Sequence, residues 1–164
     1  MSTIPGDPAS ISALGGTLRR HALRLAATEQ RLGESARRVV RHGGADPTAR
    51  ERGLAVDVAE QLDRVGALLQ ALSTDVVEHA ARVRELAAEA ARSDLLVEGH
   101  HVVEAPGPSR RDPSSRLATR DRLQLLLNRV TAQDARTRAG LQRELEGSSA
   151  ALARASERAR LGDG

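Results

Sequence analysis

The sequence predicts an all-α protein: a long antiparallel helical hairpin, about residues 8–41 and 47–92, followed by a third long helix over about 114–160. Three observations carry that expectation. Asp-Pro occurs three times, at Asp7-Pro8, Asp46-Pro47 and Asp112-Pro113, and each copy directly precedes a segment with helical spacing of leucine and valine. A carboxylate ahead of a helix accepts from its free N–H groups, and proline at the first helical position forfeits no hydrogen bond, so each pair reads as a helix start. The second segment repeats apolar residues in a four-and-three rhythm. Finally, the 164 residues include no Phe, Trp or Tyr, so any core is built from Leu, Val, Ile and Ala, which suits close-packed helices.

In the first helix Ile11, Leu18, Leu25, Leu32 and Val39 recur every seven residues, with Leu14, Ala22 and Ala36 filling the same face. Gly15 and Gly16 weaken its first turns by about 1 kcal/mol each relative to Ala, which marks a kink or the close approach of another helix. The stretch RHGGADPTAR, residues 41–50, then reads as a stop followed at once by a start. Gly43 and Gly44 can take the left-handed conformation that ends a helix, and Arg37, Arg38, Arg41 and His42 suit the negative end of its dipole. Asp46 is placed to cap the next helix, with Pro47 at its first position.

That next helix carries the clearest pattern: Val58, Leu62, Val65, Leu69, Leu72, Val76, His79, Val83, Leu86 and Ala90 form a heptad seam. At 1.5 Å per residue the two helices would be about 50 and about 70 Å long, and a loop of only about five residues obliges them to run antiparallel. The first holds seven Arg against Glu29 and Glu34, the second six Arg against eight acids, so the opposed net charges favour the pairing.

Residues 93–113, SDLLVEGHHVVEAPGPSRRDP, break the helical rhythm. Leu95, Leu96 and Val97 face Val102 and Val103 across Glu98-Gly99, the pattern of a short β-hairpin over about 95–103, and APGPSRR follows as a linker. In the third helix Leu123, Leu127, Val130, Leu141, Leu145 and Leu152 lie near one stripe, but Asp134 and Thr137 interrupt it, and Gly147-Ser148 suggests a break. It is expected to pack less completely than the first two. The implied division is 1–92, a helical hairpin; 93–113, a short hairpin and linker; and 114–164, a C-terminal helical segment.

The chemistry-bearing residue types do not assemble into a reaction centre. With no cysteine there is no disulfide, thiolate nucleophile or cysteine-type zinc site. The vicinal pair His100-His101 would point to opposite faces of a strand, so it does not form a shared metal site. His79 sits at a seam position, where a polar residue can set register or hydrogen bond; His21 and His42 fall on a helix surface and a helix end. Asp57 and Glu60 lie one turn apart without a nucleophile or phosphate-binding loop beside them, and the glycine pairs fit no nucleotide-binding pattern. The reading is therefore no enzyme, with no cofactor, no metal and no catalytic residue.

All 25 cationic residues are Arg, a composition expected of a GC-rich genome, and the net charge is only +3. The cluster Arg110, Arg111, Arg116, Arg120 and Arg122 could contact phosphates, but single-strand binders stack bases on aromatic residues, which this chain lacks, so nucleic acid is the disfavoured partner. No apolar run approaches the roughly 18 residues of a membrane span. The opening MSTIPGDPAS has neither the basic region nor the apolar core of a signal peptide, so the expected location is the cytoplasm, or outside it by a route without such a signal.

A small helical hairpin with His42-Gly43-Gly44 at its turn resembles the WXG-type proteins of ESX, or type VII, secretion, which place Trp-X-Gly there. The opening IPGDPASISALGGTLRRHALRL is similar to the start of the first helix in WXG-like domains that precede secreted effectors. The resemblance covers about residues 4–92. It implies a four-helix bundle formed with a related hairpin, and a role as secretion substrate, partner or targeting domain. His42 replaces the tryptophan, and a chain without Tyr carries no Tyr-x-x-x-Asp/Glu export motif.

The expected work of the chain is thus helix-to-helix association, with a related helical hairpin, a secreted effector or a second copy of itself as partner; the alternatives are a homo-oligomeric coiled-coil scaffold or a backbone-contacting nucleic-acid binder. Leu62, Leu69, Leu72, Val76, Val83, Leu86 and Val58 would form the seam with Leu18, Leu25, Leu32 and Val39, and His42, Gly43 and Gly44 would form the turn.

Overall fold

The computed structural model describes residues 7–42, 44–46, 48–109 and 111–161. The order of elements is α1 (Pro8–Arg41), α2 (Ala49–Ala91), β1 (Leu95–Glu98), β2 (His101–Glu104) and α3 (Pro113–Leu161). The chain is helical as the apolar spacing requires, with one small two-stranded sheet. Gly43, Pro47 and Arg110 lie outside the described residues, as do the first three residues of the IPGDPAS opening.

Two of the three Asp-Pro pairs start helices in the expected way. Asp7 stands at the N-cap of α1 with extended φ and ψ of −64° and 129°, its carboxylate accepts from Ser10 N at 3.1 Å, and Pro8 opens the helix. Asp112 accepts from Ser115 N at 2.9 Å, and Pro113 opens α3. Asp46 differs. Its carboxylate accepts from Thr48 N at 2.9 Å, while the Thr48 carbonyl accepts from Arg52 N at 2.9 Å, so Thr48 rather than Asp46 holds the capping position and α2 starts at Ala49 instead of 47.

Two compact units emerge, one formed by residues 1–73 and 141–164, the other by 74–140, so both α2 and α3 contribute to each. A long helix can pack against different partners along its length. In the first unit α1 lies antiparallel to α2: Arg19 pairs with Asp63 at 2.9 Å, and Arg52 with Glu29 at 2.8 Å. α3 is antiparallel to α2 there as well, through Arg64–Glu144 at 3.1 Å and Arg158–Asp57 at 2.6 Å.

The second unit holds the best-packed apolar cluster, made by Ala90 of α2, Leu95 and Val102 of the sheet, and Leu123 and Leu127 of α3. Leu95 and Leu123 are 0% exposed and Leu127 1%. α3 contributes Leu123 and Leu127, among the largest fully buried side chains, to this cluster, while most of its other residues are exposed or half-buried. The expected break at Gly147-Ser148 is absent. α3 continues through it, with Ser148 at 3% and Ala155 at 2% exposure; a lone helical glycine costs only about 1 kcal/mol, which burial of the neighbouring small face offsets.

β1 and β2 pair antiparallel, with Glu98 opposite His101 and Val97 opposite Val102. The two-residue turn is therefore Gly99-His100, one position later than Glu98-Gly99, because only glycine readily takes the φ of +59° found at the first turn residue. Gln124 of α3 supports the sheet's edge: its Oε1 accepts from Val102 N and its Nε2 donates to the His100 carbonyl, both at 2.8 Å. One side-chain amide thus occupies the hydrogen-bonding positions of a third strand.

Candidate interaction surface

The contact of α1 with α2 begins with residues that lack side chains. A Cβ built on Gly15 would stand 2.6 Å from the Gly66 carbonyl oxygen, and one on Gly66 would stand 2.6 Å from the Gly15 carbonyl oxygen. The helices meet backbone to backbone, closer than any side chain allows. Ala22, Gly33 and Ala36 of α1 and Ala59 of α2 are also buried. Small residues are spaced along the touching faces, while the leucines stand beside them.

This explains where the predicted seam residues fall. Leu72 is buried at 6% exposure; Leu18, Leu25, Leu32, Val58, Leu62, Leu69, Val76, Val83 and Leu86 are half-buried. Val39 does not join them and is 45% exposed, since α1 ends two residues later and α2 starts beyond it. Val83 and Leu86 pack on the cluster of the second unit, whereas Leu18, Leu25 and Leu62 line an open hollow of about 390 Å³ with His21, Arg24 and Thr28. Leu14, one turn before Leu18, is 53% exposed and continues the same stripe. The first unit thus leaves an apolar strip along α1 and α2 uncovered.

At the far end of the hairpin, three ionised groups converge. The Arg52 guanidinium donates to Glu29 from Nε at 2.9 Å and from Nη2 at 2.8 Å, and to Asp46 from Nη1 at 3.0 Å. Gly33 makes room for it: a Cβ there would meet the guanidinium at 3.0 Å. The fork-like bonding ties α1, the connecting turn and the start of α2 together. Asp46 is held below the usual carboxylate range, first by the Thr48 N–H and then by the Thr48 hydroxyl and Arg52, which outweigh its partial burial. Asp112 is likewise lowered, chiefly by the Ser114 hydroxyl and the Ser115 N–H.

His42 and Gly44 are exposed. His42 ends α1 with φ −98° and ψ 17°, its N–H reaching the Val39 and Val40 carbonyls, and its Nδ1 lies 2.7 Å from the Arg38 carbonyl oxygen. Gly44 N donates to the Val39 carbonyl at 3.3 Å, and a Cβ on Gly44 would meet Val39 Cγ1 at 2.9 Å, so crowding rather than a left-handed φ calls for glycine there.

The remaining candidates resolve into structural pairings. His79 faces Asp134 of α3, Nδ1 to Oδ1 4.0 Å, beside Thr137 in a small polar hollow of about 150 Å³. The polar interruptions noted separately in the two helices meet one another. In the basic cluster Arg116 binds Glu104 at 3.0 Å, Arg120 binds Asp121 at 3.0 Å, Arg122 binds Glu89, and Arg111 donates to the Arg92 carbonyl. Each of these four is engaged within the chain. Asp57 is taken by Arg158. His100 and His101 are exposed on the hairpin. Among the described residues no group of three or more His, Cys, Asp or Glu could hold a metal ion, and no helix is long and apolar enough to cross a membrane.

Two features escaped the sequence reading. The Gly15–Gly66 contact was half visible, since Gly15-Gly16 suggested a close approach but nothing paired it with Gly66. The Arg52–Glu29–Asp46 cluster had no signal, because its members are spread over the chain and look like ordinary surface charges. No family model matches the chain, and no curated protein or solved structure matches it significantly.

Proposed function

We propose that the chain is a non-enzymatic helical interaction module whose first unit receives a partner helical hairpin, in the manner of the WXG-like, type VII secretion-associated proteins it resembles. The carrying observation is the uncovered strip of Leu14, Leu18, Leu25 and Leu62, which lies along two helices already locked by the Gly15–Gly66 contact. A rigid helix pair with an open apolar strip suits burial by further helices, the route by which four-helix bundles close. The partner reading favours a protein made beside this one, cytoplasmic at the time of assembly. Catalysis, cofactors and nucleic acid have no part in it.

The test is the molar mass of the purified chain by light scattering, alone and with a candidate hairpin protein encoded next to it. A stable complex with the neighbour, lost in Leu14→Asp while circular dichroism is unchanged, supports the reading. A monomer indifferent to the neighbour counts against it, and a concentration-dependent homo-oligomer favours a self-associating scaffold instead.

A further inference from the structure

The end of α1 holds cations without a carboxylate partner among the described residues and apolar side chains open to water. Arg37, Arg38 and Arg41 form no ion pair with a carboxylate among the described residues, whereas Arg52 nearby is bound by two. Arg41 only donates to the Arg37 carbonyl at 3.3 Å. Between them Val39 and Val40 are 45% and 50% exposed. Two open hollows flank this end. The larger, about 580 Å³, is lined by Val40 with Arg37, Arg38 and Arg41, and also by Glu34 and Asp46. The smaller, about 420 Å³, sets Val39 beside Arg38 and His42.

Cations at a helix C-terminus are accounted for by the helix dipole. The valines are not, since β-branched apolar residues in a last exposed turn serve neither the dipole nor helix propensity. Each hollow therefore sets a valine beside arginine. The larger also carries Glu34 and Asp46, the latter bound by Arg52, so Arg37, Arg38 and Arg41 outnumber the acid left without an ion pair among the described residues. Phosphate or nucleic acid would meet the arginines but leave the valines wet, and the chain has no aromatic residue on which a base could stack.

We propose that the end of α1 docks an acidic amphipathic segment of a partner protein, its carboxylates meeting Arg37, Arg38 and Arg41 and its apolar side chains covering Val39 and Val40. The charge match selects the partner and speeds encounter, while the valines require that the acids be interleaved with apolar residues. This site is separate from the strip of Leu14, Leu18 and Leu25 and does not depend on that strip being occupied.

The experiment is fluorescence anisotropy of the full chain with a synthetic helical peptide of Glu and Leu, against the same peptide with Leu replaced by Ser and against a single-stranded thymidine oligonucleotide. The Glu/Leu peptide is expected to bind tightest and to weaken as salt rises. Arg37→Gln/Arg38→Gln/Arg41→Gln should weaken it by about tenfold or more, Val39→Ser/Val40→Ser by about threefold or more, each with unchanged circular dichroism. Replacement of the three arginines by lysine should retain binding, and Leu14→Asp should leave it unaltered. Equal binding by the glutamine variant overturns the site, and loss with Leu14→Asp moves the peptide to the other surface. Equal binding of the serine peptide or the oligonucleotide reduces the site to a general anion patch.

Discussion

Gly66 is the residue where helix propensity and packing disagree most sharply. Alanine normally stabilises a helix by about 1 kcal/mol over glycine, yet at Gly66 the new Cβ would press on the Gly15 carbonyl oxygen and on Arg19 Cγ, at 2.6 and 2.5 Å. Packing should win, because backbone cannot step aside as a flexible side chain can. Gly66→Ala is expected to destabilise the protein by about 1–3 kcal/mol in denaturant titration. Gly140→Ala, where nothing lies within 4 Å of the added carbon, should instead stabilise by about 0.5–1 kcal/mol. The same scale holds the acid sensitivity. Since Asp46 is held below the ordinary carboxylate range, its ionised form is favoured by folding. Its contribution is present in full above the ordinary Asp value near about pH 4 and is lost as pH falls through the lower folded value. Thermal melts of Asp46→Asn should therefore lie below the parent's at neutral pH and converge with it as the pH is taken below about 4. Asp112 at the start of α3 follows the same sign.

Among the elements, the small sheet does more for the second unit than its length suggests. Leu95 and Val102 close the cluster around Leu123 and Leu127, so Leu123→Ala should destabilise that unit by about 3 kcal/mol. Gln124→Ala removes the acceptor of the Val102 N–H, and hydrogen exchange at Val102 should accelerate while helical circular dichroism holds. The helices were legible because Asp-Pro, heptad spacing and glycine act within a few residues of where they stand. The sheet was legible in position but displaced by one residue at its turn, since the sequence shows Gly99 without showing whether it opens or closes the turn. The meeting of His79 with Asp134 was not legible, although each stood out as a polar break in its own helix. Matching them needs the register between α2 and α3, which packing of Leu95 and Val102 helps to set. The candidate surface was legible as leucines of a stripe; that the touching faces would be small residues, leaving Leu14, Leu18 and Leu25 at the edge, depended on the Gly15–Gly66 approach.

Over the whole molecule, the chain has no aromatic residue, and the buried apolar side chains among the described residues are Leu, Val and Ala. Most of the 164 residues lie in three helices whose predicted seam is half-buried rather than sealed, and the first unit leaves large apolar side chains such as Leu14 and Leu23 in contact with water. Association would remove that surface from solvent, and the modest net charge of +3 does not oppose it. The most direct measurement is affinity capture from the protein's own host, at moderate salt and with nuclease, comparing the intact chain with Leu14→Asp by mass spectrometry. The account predicts that one small helical-hairpin protein, or an effector bearing such a hairpin, is recovered with the intact chain and lost with the variant. Recovery of the same proteins by both, or of the chain by itself, would contradict it.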